Sequence, residues 1–387
     1  MVAALLAVAL TSQQPIPRDS LGIARLLASL SAADSTVCKL AGRALGNYGG
    51  FWNLDSDLPM PMPMPTPMPM PFAGPVVGPI VIETGTHWGR DPKAPSLGAF
   101  RVALRDRSRC VRHIAARMVG RVKPAWAAET FSSLLRDRDP GLRETGVLGL
   151  GEIESVQNLG GLRDALRDHD PAVRSMAAWA LGRLRHVDVV DDLTRALSDE
   201  EVEVRSRAAW GLGAAGDTRA IPALEAIVRD PAAEVRRTTA WALGQIESKD
   251  AVASLATLVR DPETDVRQTA LWALAQIQSE TAVSPAAEGL GDRDPDVRIT
   301  AAWALGQIES PSGVKPLVRL LEDEDADVRV AAIWALGQIE SAEAVPALEK
   351  LDNDRAGSVR RAARWALAQI EGGGPRIHPR PKIRIRQ

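Results

Sequence analysis

Tyrosine and phenylalanine are nearly missing from this chain, with one Tyr and four Phe in 387 residues. Yet there are ten Trp, a lopsided usage that points to one position copied many times. Excess charge of either sign is missing too. The 47 basic and 49 acidic residues leave a formal net charge of −2, which removes the broad electrostatic basis for binding nucleic acid or an anionic membrane surface. Long apolar runs are also absent: Val2 to Leu10 falls far short of the ~20 residues that span a bilayer. That segment is similar to the core of a secretory signal, with Ala7-Val8-Ala9 as a small-x-small site but no basic residue before it. Residues 1–16 are therefore expected to be a signal segment or N-terminal arm, and the protein to be exported to a periplasm, with the cytoplasm as the alternative.

What is present is a repeat. Trp179, Trp210, Trp241, Trp272, Trp303, Trp334 and Trp365 follow one another at 31-residue steps without insertion or deletion. Arg112, Arg143, Arg174, Arg205, Arg236, Arg267, Arg298, Arg329 and Arg360 keep the same step, and six residues before each lies an Asp, from Asp106 to Asp354. Within one unit, Ala220 to Arg229 carries apolar residues at helical spacing with Pro222 in its first turn. Asp230 to Glu234 is a turn, and Val235 to Ile246 reads as a second helix. Such a helix pair is too small to bury its own apolar face, so units must stack. Ten units fit: a divergent one at 17–46, in which Asp34 to Gly46 keeps the second-helix pattern, and nine over 95–371. Between them, 47–94 is a low-complexity insertion. Its Pro/Met tract, Pro59 to Pro71, predicts extended polyproline-like chain, and Val76 to Thr86 is β-rich, as a small hairpin would be. Residues 372–387 form a basic tail too rich in Gly and Pro to continue the stack.

The unit Asp-Pro-x-x-x-Val-Arg-x-x-Ala-Ala-Trp-Ala-Leu-Gly-Gln-Ile resembles the HEAT-like repeat of phycobilin lyase subunits and bacterial scaffold proteins. The resemblance covers about nine tenths of the chain outside the insertion and tail. It implies an all-α, right-handed α-solenoid in which the turn Asp and second-helix Arg form a ladder joining successive repeats. Cys38 stands in the Arg position of the first unit, so that unit should lack the tie. Relatives with chemistry fit poorly. HEAT-type metal hydroxylases use His-Glu pairs, whereas His87, His113, His169, His186 and His378 are each followed by another residue, and there is no His-Glu-x-x-His motif. No catalytic constellation stands out from the repeat, so no enzyme activity, cofactor or metal is expected. A lyase-like subunit handling a tetrapyrrole is the enzymatic alternative.

Stepping ~100° per residue along the second helix puts Val235, Thr239, Ala242, Leu243 and Ile246 on one packing stripe and Trp241 opposite it. Gln245 lies one turn on, beside Trp241. The pair recurs as Trp272/Gln276, Trp303/Gln307, Trp334/Gln338 and Trp365/Gln369, with Trp179/Arg183 and Trp210/Ala214 as variants. A flat indole beside an amide that both donates and accepts suits an extended peptide, and the arrangement resembles the Trp and Asn ladder of armadillo solenoids. The expected function is thus a non-catalytic scaffold holding a partner protein or extended peptide, with a glycan as rival ligand. Such a ladder would survive loss of Trp272 and Trp303 with its helices intact. The alternative is that each Trp lies across the Gly-bearing turn of the next second helix, covering small residues such as Gly244. Three further features carry expectations. Met60, Met62, Met64, Met68 and Met70 read as a tether before a Cu(I) site. The Pro/Met tract or the basic tail could fold back into the Trp groove as an internal competitor. Cys38 and Cys110 could bridge in an oxidising compartment. Finally, Gly289 stands where neighbouring units have Leu258, Leu320 and Leu351, predicting local flexing there.

Overall fold

The computed structural model describes residues 20–31, 97–185 and 187–372. The expected signal segment, the second helix of the first unit with Cys38, the Pro/Met insertion with its β-rich stretch, and the basic tail lie outside these residues.

The described residues fall into two compact units, one ending at Ala215 and the other beginning at Gly216. In the first, α1 (Ser20–Ser31) precedes four helix pairs: α2 (Leu97–Ala103) with α3 (Arg109–Val122), α4 (Ala127–Leu134) with α5 (Pro140–Ile153), α6 (Leu159–Ala165) with α7 (Pro171–Arg183), and α8 (Val190–Ala196) with α9 (Val202–Ala215). The second holds five pairs: α10 (Ile221–Ala226) with α11 (Ala233–Ile246), α12 (Val252–Leu258) with α13 (Thr264–Ile277), α14 (Val283–Glu288) with α15 (Pro295–Ile308), α16 (Val314–Leu320) with α17 (Ala326–Ile339), and α18 (Val345–Glu349) with α19 (Gly357–Ile370). Within each unit the second helices lie side by side, and each first helix packs on its partner. The all-helical repeat fold and the nine-pair register agree with the sequence.

Local chemistry sets the boundaries. Asp139, Asp170 and Asp294 cap the second helices of their pairs through side chains that accept backbone N–H groups, each followed by Pro at the first helical position, where its missing donor costs nothing. At the other end Glu247, Gln278, Glu309 and Glu340 adopt the left-handed conformation that stops a helix. The next residue, Ser248, Ser279, Ser310 or Ser341, then caps a short 3-10 turn leading into the following first helix. Ile-Glu-Ser is thus a stop, reversal and start signal. The first helices are shorter than their apolar pattern: Ala220 to Arg229 is a 3-10 turn ending at Ala220, then α10, then an open turn.

One contact recurs along both units. Arg143, Arg174, Arg236, Arg267, Arg298 and Arg329 each direct Nε and Nη2 at both carboxylate oxygens of the Asp in the next turn: Asp168, Asp199, Asp261, Asp292, Asp323 and Asp354, at 2.7–3.0 Å. Nη1 of the same guanidinium donates to carbonyls of its own turn, as Arg267 does to Asp261 and Pro262 at 2.9 and 3.0 Å. The Asp also accepts the N–H two residues on, Asp294 to Asp292 at 2.9 Å. Burial alone would raise the carboxyls of Asp168, Asp199 and Asp354, but the guanidinium fork and the turn N–H outweigh it and hold them below the usual range.

The ladder departs from expectation at Arg112. Its Nε donates to Thr145 Oγ1 at 3.2 Å, and Asp137 is met by Arg105 Nη1 at 3.1 Å instead. Gly141 explains the change, since a Cβ there would sit 2.4 Å from Arg112 Nη2; the missing side chain lets the guanidinium tuck against α5. At the front of the array Asp106 accepts from Ser31 Oγ at 2.7 Å and from the Ser108 N–H at 2.8 Å.

Gly289 is not a void. It is buried, and a Cβ there would meet Ala301 Cβ at 2.9 Å and both Leu271 methyls at 3.0 Å. Leu271 stands where α11 and α15 have Ala240 and Ala302, so a large side chain fills the space a small one vacates. Leu271 thus fills the site at which the sequence predicts flexing, and the helix narrows to a 3-10 turn at Gly289–Gly291.

Two outcomes follow. Gly289→Leu should destabilise by about 1–3 kcal/mol through overpacking and be rescued by Leu271→Ala, read as a coupling in urea unfolding; additive effects would refute the compensation. The carboxyls of Asp168, Asp199 and Asp354 titrate below the ordinary value of about 3.9, so their stabilisation is present above it and lost as pH falls through the lower folded values. Helicity should accordingly hold to about pH 4 and collapse below it, and Asp168→Asn should lose that part of the acid transition in pH-dependent circular dichroism.

Candidate functional site

The expected outward-facing ladder is corrected by burial. Trp179, Trp210, Trp241, Trp272, Trp303 and Trp334 expose only 3–9% of their surface, and Trp365 alone of the row is half-buried. Each indole needs a neighbour small enough to lie against. A Cβ on Gly151, Gly182, Gly244, Gly306 or Gly337 would sit 2.6–3.1 Å from Cζ3 of Trp179, Trp210, Trp272, Trp334 or Trp365, respectively. The direction is the reverse of the packing alternative drawn from sequence: Gly244 is covered by Trp272 of the following repeat, so each Trp reaches back to the preceding second helix. That agrees with the tilt of helical side chains toward the helix N-terminus. The helical wheel missed this because it assigns one packing stripe, whereas a second helix flanked on both sides is apolar nearly all round. Trp334 Nε1 and Trp365 Nε1 are buried without an acceptor, a cost that the large apolar contact must offset.

Gln245, Gln276, Gln307, Gln338 and Gln369, one turn further on, are half-exposed among buried neighbours. The side-chain amides of Gln245, Gln276, Gln307 and Gln338 make no hydrogen bond among the described residues, so donor and acceptor remain for a partner.

At the front of the first unit the same row changes chemistry. Arg117 and Leu148 take the Trp position on α3 and α5; Arg121, Glu152 and Arg183 take the Gln position on α3, α5 and α7. Arg117 Nε, Arg121 Nε and Arg183 Nη2 gather 3.7–3.9 Å from the buried Glu152 carboxylate. Arg183 also pairs with Glu154 and lies 5.6 Å from the Trp179 ring centroid. Burial, opposed by Glu152, pushes the Arg117 guanidinium down to about 10. Two turns before Glu152, Glu144 is held by Arg109 at 2.6–3.2 Å and His113 at 3.3 Å. Burial disfavours its charge, yet His113 and Arg109 push its carboxyl down to about 2, whereas burial lowers His113 itself. Setting the units at 31-residue register would have revealed the Arg117 and the Arg121/Glu152/Arg183 columns, because those positions are apolar or amide elsewhere.

Among the described residues no group of three or more His, Cys, Asp or Glu is placed to hold a metal ion, and no helix is long and apolar enough to cross a membrane.

Stacked helix pairs tied by an Arg–Asp ladder define a HEAT-type solenoid, a scaffold fold typical of protein–protein interaction. The chain belongs to the HEAT repeat family: the family model matches residues 159–233, 224–292 and 283–368, more than half of the chain. No curated protein matches it as a relative. Among solved structures it is similar to an engineered protein, at 21% identity over 91% of this chain and 99% of the other with a TM-score of 0.46. It is similar also to the CpcE–CpcF complex of phycocyanin lyase from Nostoc sp., at 27% identity over 54% of this chain and 86% of the other with a TM-score of 0.36. Human deoxyhypusine hydroxylase is similar at 22% identity over 66% of this chain and 99% of the other, with a TM-score of 0.31.

The buried row predicts that Trp272→Ala with Trp303→Ala destabilises the second unit strongly, each truncation by about 3–5 kcal/mol. Thermal and urea unfolding followed at 222 nm would show it; an unchanged transition would restore the exposed ladder.

Proposed function

We propose that this chain is a non-catalytic scaffold that holds an extended segment of a partner protein along the glutamine row of its second helices. The observation that carries the proposal is the contrast within each unit. Gln245, Gln276, Gln307 and Gln338 are half-exposed with unengaged amides, while the Trp one turn earlier is buried. An amide repeated once per unit, at the ~8–10 Å separation of packed helices, offers one donor and one acceptor per roughly three residues of extended backbone. The indoles serve as the floor beneath that row: pressed against glycine, they lock the spacing of successive second helices and so the spacing of the amides. Export would place such a partner outside the cytoplasm.

A displayed library of random extended peptides should select binders to the purified full-length chain. Gln276→Ala with Gln307→Ala should weaken them by about tenfold, on the order of 1.4 kcal/mol, while helicity and melting stay unchanged. Selection of cell-wall glycans in place of peptides would move the row to a carbohydrate ligand, and peptides that bind both forms equally would remove the glutamines from the interface.

A further inference from the structure

Within the two units Arg143, Arg174, Arg236, Arg267, Arg298 and Arg329 hold an aspartate of the next turn in one and the same fork, Nε and Nη2 to the two carboxylate oxygens. Arg360, in the first turn of α19, occupies the same place in the last described repeat of the second unit. It keeps the inner half of the contact, Nη1 donating to the Asp354 carbonyl at 2.6 Å. Its Nε and Nη2 hold no carboxylate among the described residues. The surface around it has also changed character. Arg361 and Arg364 of α19 are exposed at the positions where α17 buries Val330 and Ile333. Arg355 is exposed in the adjoining turn. Arg364 is paired with Asp352 at 2.7–2.9 Å, and Arg355 Nη2 donates to the Glu324 carbonyl at 2.9 Å.

We propose that this outer face of α19 docks an acidic segment of a partner protein, with one carboxylate seated in the Arg360 fork. The proposal shares with the preceding section only the premise that the chain has a protein partner, and does not depend on the glutamine row. The six internal contacts are the template. They show that this guanidinium position, braced by its own turn, presents two near-parallel donors that match a carboxylate. A further repeat with an apolar joint would have to bury the charged Arg364 side chain, exposed here beside Asp352, against apolar neighbours, a heavy cost, so the complementary occupant is acidic rather than apolar. A polar end that only keeps the array soluble would need charge or hydroxyls of any kind, and no donor fork in register with the ladder.

The test uses the full-length chain and a labelled peptide of alternating Asp and Ala, read by fluorescence anisotropy at low ionic strength. Wild type should bind. Arg360→Gln should weaken binding by about tenfold and Arg360→Lys by several-fold, since an ammonium keeps the charge but not the fork. Arg293→Gln, at an exposed turn away from this face, should bind as wild type, and so should Gln276→Ala with Gln307→Ala; the glutamine row can thus fail without this site failing. Should Arg360→Gln not fold by circular dichroism, Arg360→Lys decides alone. The proposal is overturned if wild type does not bind the peptide, if Arg360→Lys binds as wild type, if Arg293→Gln loses as much affinity as Arg360→Gln, or if a single-stranded oligonucleotide outcompetes the peptide at equal charge.

Discussion

The guanidinium that joins two turns is the contact on which the rest depends. A helix pair of this size cannot bury its apolar face alone, so successive pairs must meet in one register and at one rotation. Arg267 illustrates how that is enforced: Nη1 closes its own turn on Asp261 and Pro262, while Nε and Nη2 grip Asp292 of the next. Asp292 in turn receives the Asp294 N–H and so sets up the following second helix. A point-charge pair could slide, but a planar fork on a capped carboxylate cannot do so without losing several bonds together.

Once register is set, side-chain volume settles the remainder. Second helices flanked on both sides approach closely only where one of them is small, and Gly151, Gly182, Gly244, Gly306 and Gly337 supply that smallness under an indole from the following helix. α13 has Ala275 at the same place, which shows that a methyl is accommodated at one joint. Leu271 against Gly289 is the same bargain struck between a second helix and a first. Two joints depart from the pattern: Ser31 donates to Asp106, and Arg361 and Arg364 stand exposed where α17 buries Val330 and Ile333.

The division between buried and half-exposed copies of the repeated residues follows from this packing. Tryptophan is costly to expose and easy to bury over glycine, so the faithful copying of Trp241, Trp272, Trp303 and Trp334 reflects a joint. Glutamine is costly to bury unpaired, and one turn away the chain leaves it half-exposed.

The 31-residue period, the helix pair, the Asp–Arg series and the extent of the second helices were legible in the sequence, because each is written in local spacing: turn residues, prolines and apolar periodicity act within a few residues. The direction in which an indole leans, the side of a helix left to solvent, the diversion of Arg112 to Thr145 by Gly141, and the filling of the Gly289 site by Leu271 were not. Each depends on a residue about one repeat away or on the opposing helix, and a helical wheel holds no neighbour. The sequence by itself determined the repeat and its ties; only the tertiary structure decided which of the repeated residues face inward, since burial belongs to pairs of helices and not to either one.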